Sequence, residues 1–240
     1  MISIIIPTLN EEKVIEGTLK SLRMLNNVPY EIIVSDGKST DKTIEIAKKY
    51  ANSIIEYKGQ ARQTIAMGRN DGAKMAKGDI LIFLDADCTI VNPNEFFSQA
   101  LSDFNNNIKL VALTGNIRVL KQYETFADRL VFLYMNFFFK FMTNVLHIGQ
   151  APGEFQMIRK SAFLSVHGFR EDLVAGEDIE MFSRLSKIGR TFFDKHLTIF
   201  HTGRRAHKVG WPKLLWTWFM NSTHVFIFNK SKSKEWVAIR

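Results

Sequence analysis

A chain of 240 residues, 46% of them hydrophobic, can bury one substantial core, and the sequence contains no low-complexity tract or internal repeat. Its formal net charge of +8 suits a nucleic acid, an anionic membrane surface or a polyphosphate ligand, and no nucleic-acid-binding motif favours the first. The single cysteine, Cys88, excludes an internal disulfide and a cysteine-rich metal site.

The chain begins with an apolar run at residues 2–6 that predicts a buried strand, followed by a polar turn and a helical pattern over 14–25. Thr8 and Glu11 in the turn have the spacing of a capping box; alternatively, the turn cups a nucleotide at the strand edge. Because the turn has no glycine, it argues against an NAD-type dehydrogenase. No basic leader precedes the strand, so we expect no signal peptide and a cytoplasmic catalytic part.

Strand and helix signals then alternate, in the order strand 31–35, helix to 50, strand Ser53–Glu56, helix 60–77 and strand Ile80–Leu84. Ser39 or Thr40 is predicted to cap the first of these helices. Asp36 follows the first strand, where a carboxylate can accept hydrogen bonds from a base or a ribose. The alternation predicts a mainly parallel sheet with right-handed crossovers, so the acidic turns share one edge.

The central feature is Asp85-Ala86-Asp87, which directly follows the strand signal at Ile80–Leu84. Carboxylates at the carboxyl end of a buried strand lie where open α/β sheets bind ligands. Their oxygens are hard donors suited to Mg²⁺ or Mn²⁺, metals that are commonly shared with substrate phosphates. The alternative is a polar turn that closes the strand. Because two other acidic turns point to the same edge, we favour a metal and phosphate site.

Beyond a helix predicted at 94–105 and a strand within 110–120, residues 122–147 are dominated by apolar and aromatic side chains. Helical spacing predicts an amphipathic helix with a wide apolar face, whose polar side carries Arg129, Asn136, Lys140, Thr143 and His147. Lys140 and Asn136 interrupt a run that would need about 20 apolar residues to span a membrane. We therefore expect an interfacial or substrate-facing helix, with a core helix as the alternative.

Four further elements are predicted between residue 150 and the final helix, namely a strand at 155–158, a small helix ending at 168–169, a helix at 176–189 and a strand at 198–201. The buried stripe predicted for the helix at 176–189 consists of Ile179, Phe182, Leu185 and Ile188. Asp178 lies in the first turn of the helix. Because the helix dipole favours a carboxylate there, a purely structural role is an alternative to a functional one.

Pro212 suits the first turn of a final helix over 211–229. Its predicted apolar face consists of Trp211, Leu214, Leu215, Trp218, Phe219, Val225 and Phe226. The lysines near its two ends are Lys208, Lys213, Lys230, Lys232 and Lys234. Tryptophans and lysines in this arrangement are typical of a membrane-surface anchor, and a helix packed on the domain is the alternative.

Five segments occur in an order that matches one family: IIIPTLNE at 4–11, VSDGKSTDKT at 34–43, Arg69-Asn70 with Gly78-Asp79, FLDAD at 83–87 and GED at 176–178. Together they resemble the GT-A glycosyltransferases of family 2, and the resemblance covers residues 2–205. It implies a Rossmann-like α/β fold with a mostly parallel sheet flanked by helices. It also implies a nucleotide-sugar donor and Mn²⁺ or Mg²⁺ as cofactor. The usual Gln-x-x-Arg-Trp motif is absent, which counts against a processive synthase.

The same resemblance implies roles for residues on the nucleotide side. Pro7, Thr8 and Glu11 would line the nucleotide, and Asp36 would hydrogen-bond the base, most often uracil. Arg69 would lie near the base and the phosphates.

On the reactive side, the resemblance implies that Asp85 approaches the ribose and that Asp87 is the principal metal ligand, with Ala86 between them. Asp178 matches the catalytic base. A C-terminal loop, which in some members supplies a metal ligand and closes over the diphosphate, is matched by His201, Arg204 and Arg205. We expect the donor-sugar and acceptor region to include Gly153, Glu154 and Glu177.

The resulting hypothesis is a metal-dependent inverting glycosyltransferase. It would move a sugar from a nucleotide sugar, with UDP favoured, to a lipid or lipid-linked acceptor at the cytoplasmic face of a membrane, which it would bind peripherally. Alternatives are a soluble acceptor, or a GDP-mannose-type donor with a polyprenyl phosphate acceptor. A nucleotidyltransferase is disfavoured because the first turn is not a glycine-rich basic loop, and a silent nucleotide-binding protein is the non-enzyme alternative.

We expect a catalytic domain over 1–206, with a nucleotide-sugar half at 1–120 and an acceptor half at 121–206. An amphipathic, membrane-associated helix and a basic tail are expected at 207–240.

Overall fold

The computed structural model describes residues 1–233 and residue 235. Its first part alternates strands and helices, in the order β1 (Ile2–Thr8), α1 (Ile15–Arg23), β2 (Tyr30–Asp36), α2 (Thr43–Ala47), β3 (Ser53–Glu56), α3 (Ile65–Met75) and β4 (Ile80–Leu84). β1 pairs in parallel with both β2 and β4, and β2 pairs in parallel with β3. The predicted strands and their parallel arrangement are confirmed, so the turns after these strands open at one edge.

The second part contains β5 (Cys88–Thr89), α4 (Pro93–Asn106), β6 (Leu110–Val119), α5 (Phe126–Asn144), β7 (Phe155–Arg159), α6 (Lys160–Ser165), α7 (Glu177–Leu185), β8 (Arg190–His201), α8 (Arg204–Val209) and α9 (Trp211–Phe228). β7 runs antiparallel between β4 and β6, and β8 is parallel to β6 and antiparallel to β5. The described strands form a mixed, mostly parallel sheet in the order β3-β2-β1-β4-β7-β6-β8-β5. Strands from before and after residue 120, the expected boundary between the two halves of the catalytic domain, belong to this one sheet. The expected end of that domain at residue 206 lies within α8.

Successive side chains of β1 point to opposite faces of the sheet, and each face is covered by its own core cluster. Ile4 belongs to one core cluster and Ile5 to the other. α3 packs closely on the second face: a Cβ added to Gly72 would stand 2.3 Å from Cγ2 of Ile5, so glycine is required there. On the same helix, Arg69 reaches the carboxyl end of β4 and bonds to Asp85.

Two predictions about helix starts are wrong because the side chains concerned bind other partners. Thr8 and Glu11 do not form a capping box, since Thr8 ends β1 and α1 begins only after Val14, without a side-chain cap. Neither Ser39 nor Thr40 caps α2, which follows Lys42 and also has no side-chain cap. The hydroxyl and amide of Ser39 bind Asp36 instead.

Three element boundaries also differ from the expectations. α3 begins five residues later than the predicted residue 60, after its N-cap Thr64, whose hydroxyl accepts the N–H of Met67. β8 begins at Arg190 because its first residues pair with β6, a partner that a local pattern does not reveal. In α7, Met181 is buried whereas Ile179 is only partly buried, and Ile188 lies beyond the helix and is 51% exposed.

The aromatic-rich helices α5 and α9 are confirmed, and α5 orients its polar residues in an informative way. The Asn136 side chain donates to the Ile117 carbonyl (2.9 Å), and the Thr143 hydroxyl donates to the Gln150 carbonyl (2.9 Å), so both face the protein. Much of the aromatic and apolar surface is exposed instead, at Phe126, Leu130, Leu133, Tyr134, Phe137, Phe138 and Phe141.

Among the residues described, none of the helices combines the length and the apolar character that a membrane span requires. Lys234, the last lysine of the predicted basic tail, lies outside the described residues.

Candidate active site

A cleft of about 1190 Å³ opens at the carboxyl edge of β1 and β4. It brings together every residue that the sequence assigned to the site except Asp36. The assigned residues in its lining are Pro7, Thr8, Glu11, Arg69, Asp85, Ala86, Asp87, Gly153, Glu154, Glu177, Asp178, His201, Arg204 and Arg205. Segments that are distant in the chain therefore converge on one concave surface, which is where a ligand site is expected.

Asp36 is fully buried and does not line the cleft. Its carboxylate accepts hydrogen bonds from the Thr8 hydroxyl (2.8 Å), the Ser39 hydroxyl (2.5 Å) and the Ser39 N–H (2.7 Å). Its neighbour Gly37 does line the cleft. Asp36 thus shapes the turn beside the cleft, and its hydrogen bond to a base stays a prediction.

One side of the cleft, which we call the acidic floor, consists of Asp85, Asp87, Glu154, Glu177 and Asp178. Arg69 holds it together from within, with 2% of its side chain exposed. Its Nη2 donates to Oδ1 of Asp85 (3.2 Å) and to the Gly153 carbonyl (2.8 Å), while Nη1 donates to Oε1 of Glu177 (3.0 Å). The guanidinium therefore ties the end of β4 to the first turn of α7, and a buried charge of this kind depends on its partners.

Burial raises the pKa of carboxylates on this floor. Burial raises the pKa of Asp85 to about 6, although the charge of Arg69 opposes this shift. Burial and the charge of Asp85 together raise the pKa of Glu154 to about 8. The pKa of Asp178 is also raised by burial, although Arg69 counteracts the shift. Asp178 is therefore a better proton acceptor than an exposed aspartate.

The backbone beside Asp178 is closely fitted to its side chain. A Cβ added to Gly153 would stand 2.7 Å from its Oδ2, so a larger residue would displace the carboxylate. Its Oδ1 accepts the N–H of Ile179 (2.8 Å) in the first turn of α7. The carboxylate is thus fixed by local contacts while it lines the cleft.

Asp87 faces positive and hydroxyl groups from the C-terminal part of the chain. Its Oδ2 accepts the Thr202 hydroxyl (2.5 Å) and lies 3.2 Å from Nε of Arg204. Nη1 of Arg204 also donates to Oε2 of Glu11 (2.6 Å). Arg204 therefore joins the turn after β1 to the turn after β4, at a place where it can meet an anionic ligand.

His201 has the properties of a ligand for a metal. β5 pairs with β8 so that Cys88, next to Asp87, stands opposite His201. Nε2 of His201 is buried without a hydrogen-bond partner, and burial lowers the pKa of the imidazole, which favours the neutral form that binds metals.

No group of three His, Cys, Asp or Glu side chains forms a preassembled metal cage in the part of the chain that the structure describes. Mn²⁺ and Mg²⁺ are commonly held by one or two protein ligands together with substrate phosphates. The unpartnered nitrogen of His201 and the carboxylate of Asp87 fit that arrangement.

The apolar part of the cleft lining, which we call the aromatic wall, comes from α5 and α9. Its apolar members are Phe132, Met135, Phe138, Phe139, Trp211, Leu214, Leu215, Trp218, Phe219 and Phe226. Phe138, Phe219 and Phe226 also belong to the exposed surface, with 36%, 60% and 91% of the side chain accessible. The apolar lining therefore continues from the cleft onto the outside of the molecule.

Two features near Asp87 were missing from the sequence-based site. Thr202 was not singled out, although it lies between His201 and Gly203 in the loop that was. The short helix α8 was also missed, and it carries both arginines of that loop. The feature of the sequence that could have identified Thr202 is its position next to His201, which the family resemblance had assigned to the metal.

A family model described as "Glycosyl transferase family 2" matches residues 3–166. In sequence, the chain is similar to an uncharacterized glycosyltransferase of Haemophilus influenzae, with 25% identity over 188 residues, 77% of this chain and 62% of the relative.

In structure, the chain is similar to residues 1–349 of TarS of Staphylococcus aureus in complex with UDP-GlcNAc, with a TM-score of 0.62 and 19% identity. The match covers 83% of this chain and 57% of that TarS fragment. The chain is also similar to the mannosyltransferase PcManGT of Pyrobaculum calidifontis in complex with GDP-Man and Mn²⁺, with a TM-score of 0.64, 18% identity, and coverage of 84% and 56%. At these identities the structural likeness shows the fold. The chain spans less than two thirds of the length of each of these three proteins.

Proposed function

The chain belongs to glycosyl transferase family 2, and from this premise we propose that it is a metal-dependent inverting glycosyltransferase. It would transfer a sugar from a nucleotide sugar, with UDP as the favoured nucleotide, to a lipid or lipid-linked acceptor at a membrane surface. The observation that carries this proposal is the cleft itself, in which Asp178, Asp87 and Arg204 face an apolar wall that continues to the outer surface.

The donor would lie with its diphosphate near Asp87. When bound there by Asp87 and His201, Mn²⁺ or Mg²⁺ would supply positive charge to the leaving diphosphate. Arg204 adds a fixed guanidinium at the same place, and the hydroxyl of Thr202 holds the Asp87 carboxylate in position. These groups act where negative charge develops during the reaction, which is the arrangement that stabilises a transition state.

The acceptor would approach the sugar from the side of Asp178. As the acceptor oxygen bonds to the anomeric carbon, Asp178 takes the hydroxyl proton and the bond to the diphosphate oxygen breaks, leaving its electron pair on the diphosphate. Attack opposite the leaving group inverts the anomeric centre. A raised pKa suits Asp178 to this role, because a base whose pKa lies nearer the operating pH takes a proton more readily.

The membrane part of the proposal is supported by α5 and α9. Their exposed aromatic side chains include Phe137 and Trp216, with 66% and 63% of the side chain accessible, and Lys213 and Lys230 lie near the ends of α9. Aromatic side chains beside lysines suit the boundary between lipid tails and anionic headgroups. The rival is a soluble acceptor, with these surfaces covered by another protein surface.

Calorimetric titration of UDP and GDP, each with and without Mn²⁺, tests the donor site. We expect Mn²⁺-dependent UDP binding that is lost in Asp87→Asn. Asp79→Asn is the matched control, because Asp79 precedes the same strand β4 at its other end and its side chain is 93% exposed. It should bind like the wild type.

Preference for GDP would move the proposal to a mannosyl-type donor with a polyprenyl phosphate acceptor, a possibility supported by the fold shared with PcManGT in complex with GDP-Man. Nucleotide binding that is indifferent to both Mn²⁺ and Asp87 would contradict the metal assignment. It would then favour a nucleotide-binding protein without catalysis.

A further inference from the structure

Asp128, in the first turn of α5, is a carboxylate without exposed side-chain surface that lies outside the acidic floor. Its side chain accepts hydrogen bonds from both the N–H and the hydroxyl of Thr125, each at 2.8 Å. It also accepts Nε2–H of His207 (2.8 Å) and Nε1–H of Trp211 (2.8 Å). Four donors therefore converge on one buried carboxylate, an arrangement that strongly favours its ionised form.

Only half of these contacts are needed to start the helix. The Thr125 contacts form a capping box that satisfies the first turn of α5. His207 and Trp211 belong instead to the C-terminal arm, by which we mean α8 and α9, and they lie 79 and 83 residues further along the chain. Asp128 thus joins the arm to α5 through two charge-assisted hydrogen bonds.

The part of the arm that Asp128 holds begins with Arg204. α8 has only six residues, and it lies between Gly203 and Gly210, which have φ values of +70° and +85°. With positive φ, these glycines let the chain turn sharply at both ends of α8, and they restrict the direction of α8 less than other residues would. The bond from His207 therefore bears directly on where Arg204 meets Asp87 and Glu11.

Trp211 connects the same carboxylate to His201. The indole ring packs edge-on against Phe132, with 5.5 Å between ring centroids, and Phe132 packs edge-on against His201 at 5.0 Å. Because Asp128 accepts the indole N–H of Trp211, the positions of the Trp211, Phe132 and His201 rings also depend on this carboxylate.

We propose that Asp128 is a positioning residue that holds the C-terminal arm so that Arg204 and His201 stand at the diphosphate end of the cleft. This inference rests on the proposed function for its catalytic consequence, whereas its structural consequence is independent of that function. Without the carboxylate, α8 would be released from α5 while the sheet, which contains none of its partners, would stay folded.

The first test compares Asp128→Asn with the wild type by hydrogen exchange and by transfer kinetics. We expect the amides of α8 and of the start of α9 to exchange about tenfold faster, because the side-chain donors of His207 and Trp211 lose a buried, charged acceptor. We expect kcat to fall about tenfold with little change in KM for the donor. Glu124→Gln is the matched control: it removes a neighbouring carboxylate that pairs with Arg118, and both readouts should match the wild type.

The second test is a double-mutant cycle with Arg204→Ala. Because Asp128 acts in part through Arg204, the loss in kcat of the double variant should be smaller than the product of the two single losses. Losses in kcat that multiply would overturn the proposal and point to a general structural role. Unchanged exchange in the arm of Asp128→Asn would overturn it as well.

Two further arms keep these outcomes separable. If Asp128→Asn does not fold, Trp211→Phe removes the indole N–H while keeping a ring against Phe132, and the same exchange increase at the start of α9 is expected. If the wild type transfers no sugar, the proposed function fails, yet the exchange comparison still decides whether Asp128 holds the arm.

Discussion

The acidic floor and the aromatic wall line the same cleft, and they differ in how far their own chain buries and pairs their side chains. Arg69 bonds to two carboxylates of the floor and to a backbone carbonyl, and it is almost entirely buried. The wall ends in rings such as Phe226 that remain largely exposed. The floor is therefore preorganised by the chain itself, whereas the wall offers apolar area to a partner from outside. Under the proposed function, the floor would perform the chemistry and the wall would select the acceptor.

The largest effect is expected in the floor, at Asp178. Asp178→Asn keeps the shape of the side chain but removes the base, so transfer should fall by about 10²–10⁴-fold. UDP binding measured by calorimetry should be unchanged, because the nucleotide contacts lie elsewhere. Equal transfer rates for the two proteins would assign the proton to another group, or would mean that an already ionised acceptor needs no base.

The next prediction removes the cation that organises the floor. Arg69→Met should lower the free energy of unfolding by about 3–5 kcal/mol, because buried carboxylates lose their counter-charge. The measurement is denaturant unfolding at neutral pH. Arg118→Met, which breaks a pair with Glu124 in which the arginine is 43% exposed, should cost less than about 1 kcal/mol and is the control. Similar losses for both variants would show that the floor does not depend on Arg69.

The exposed side of α5, beside the wall, can be tested without touching the cleft. Phe137 and Phe141 stack at 6.2 Å on the exposed side of α5, and neither lines the cleft. The double change Phe137→Gln, Phe141→Gln should weaken binding to anionic vesicles by about tenfold or more per ring, as expected from the lost apolar burial. Transfer to a short water-soluble acceptor should stay unchanged.

Ile108→Gln is the control for this pair, because Ile108 is an apolar residue that is 89% exposed in the turn before β6 and lies outside the wall. Its vesicle binding should equal that of the wild type. A wild-type protein that does not bind vesicles at low salt would remove the membrane from the proposal and leave a soluble acceptor.

The smallest effect concerns the protonation of the floor. The pKa of Glu154 is raised from 4.5 to about 8, first by burial and then by the charge of Asp85. Between these values the folded state keeps a proton that the unfolded state releases, so the free energy of unfolding falls as pH rises. Glu154→Gln should therefore gain Tm relative to the wild type between about pH 5 and pH 8 in metal-free calorimetry. Parallel Tm profiles would contradict the raised pKa.

Asp85 and Asp87 of the floor were predictable from the sequence because they follow the buried strand β4, whereas Glu177 and Asp178 lie in the first turn of α7 and were assigned from the family resemblance. The apolar runs of β1, β2 and β4 are unambiguous, and parallel strands bring the turns after them to one edge. Even there, the local rule failed at Thr8, whose hydroxyl binds Asp36 across 28 positions of sequence instead of capping α1. A capping pattern in the sequence does not reveal a competing partner on the neighbouring strand.

The surroundings of the wall were less predictable. Helical spacing identified the polar residues of α5, but not that Asn136 would bond to the backbone of β6 and so turn the aromatic side outward. One feature near Asp128 is visible in the sequence: Thr125, three residues earlier, predicts a helix start. Nothing in the sequence around Asp128 indicates that His207 and Trp211 complete its shell.

The pairing of β5 with β8 also determines at which stage of folding the site can form. Thr202 and Asp87 are 115 residues apart in the chain, whereas the nucleotide-side turns arise from neighbouring βαβ units. Contacts of such long sequence separation close late in folding. A chain that emerges during synthesis can therefore form its first parallel strands well before Thr202 and Arg204 reach Asp87. In refolding, we expect the far-UV signal of the sheet to recover first and cleavage of the sugar nucleotide to return last.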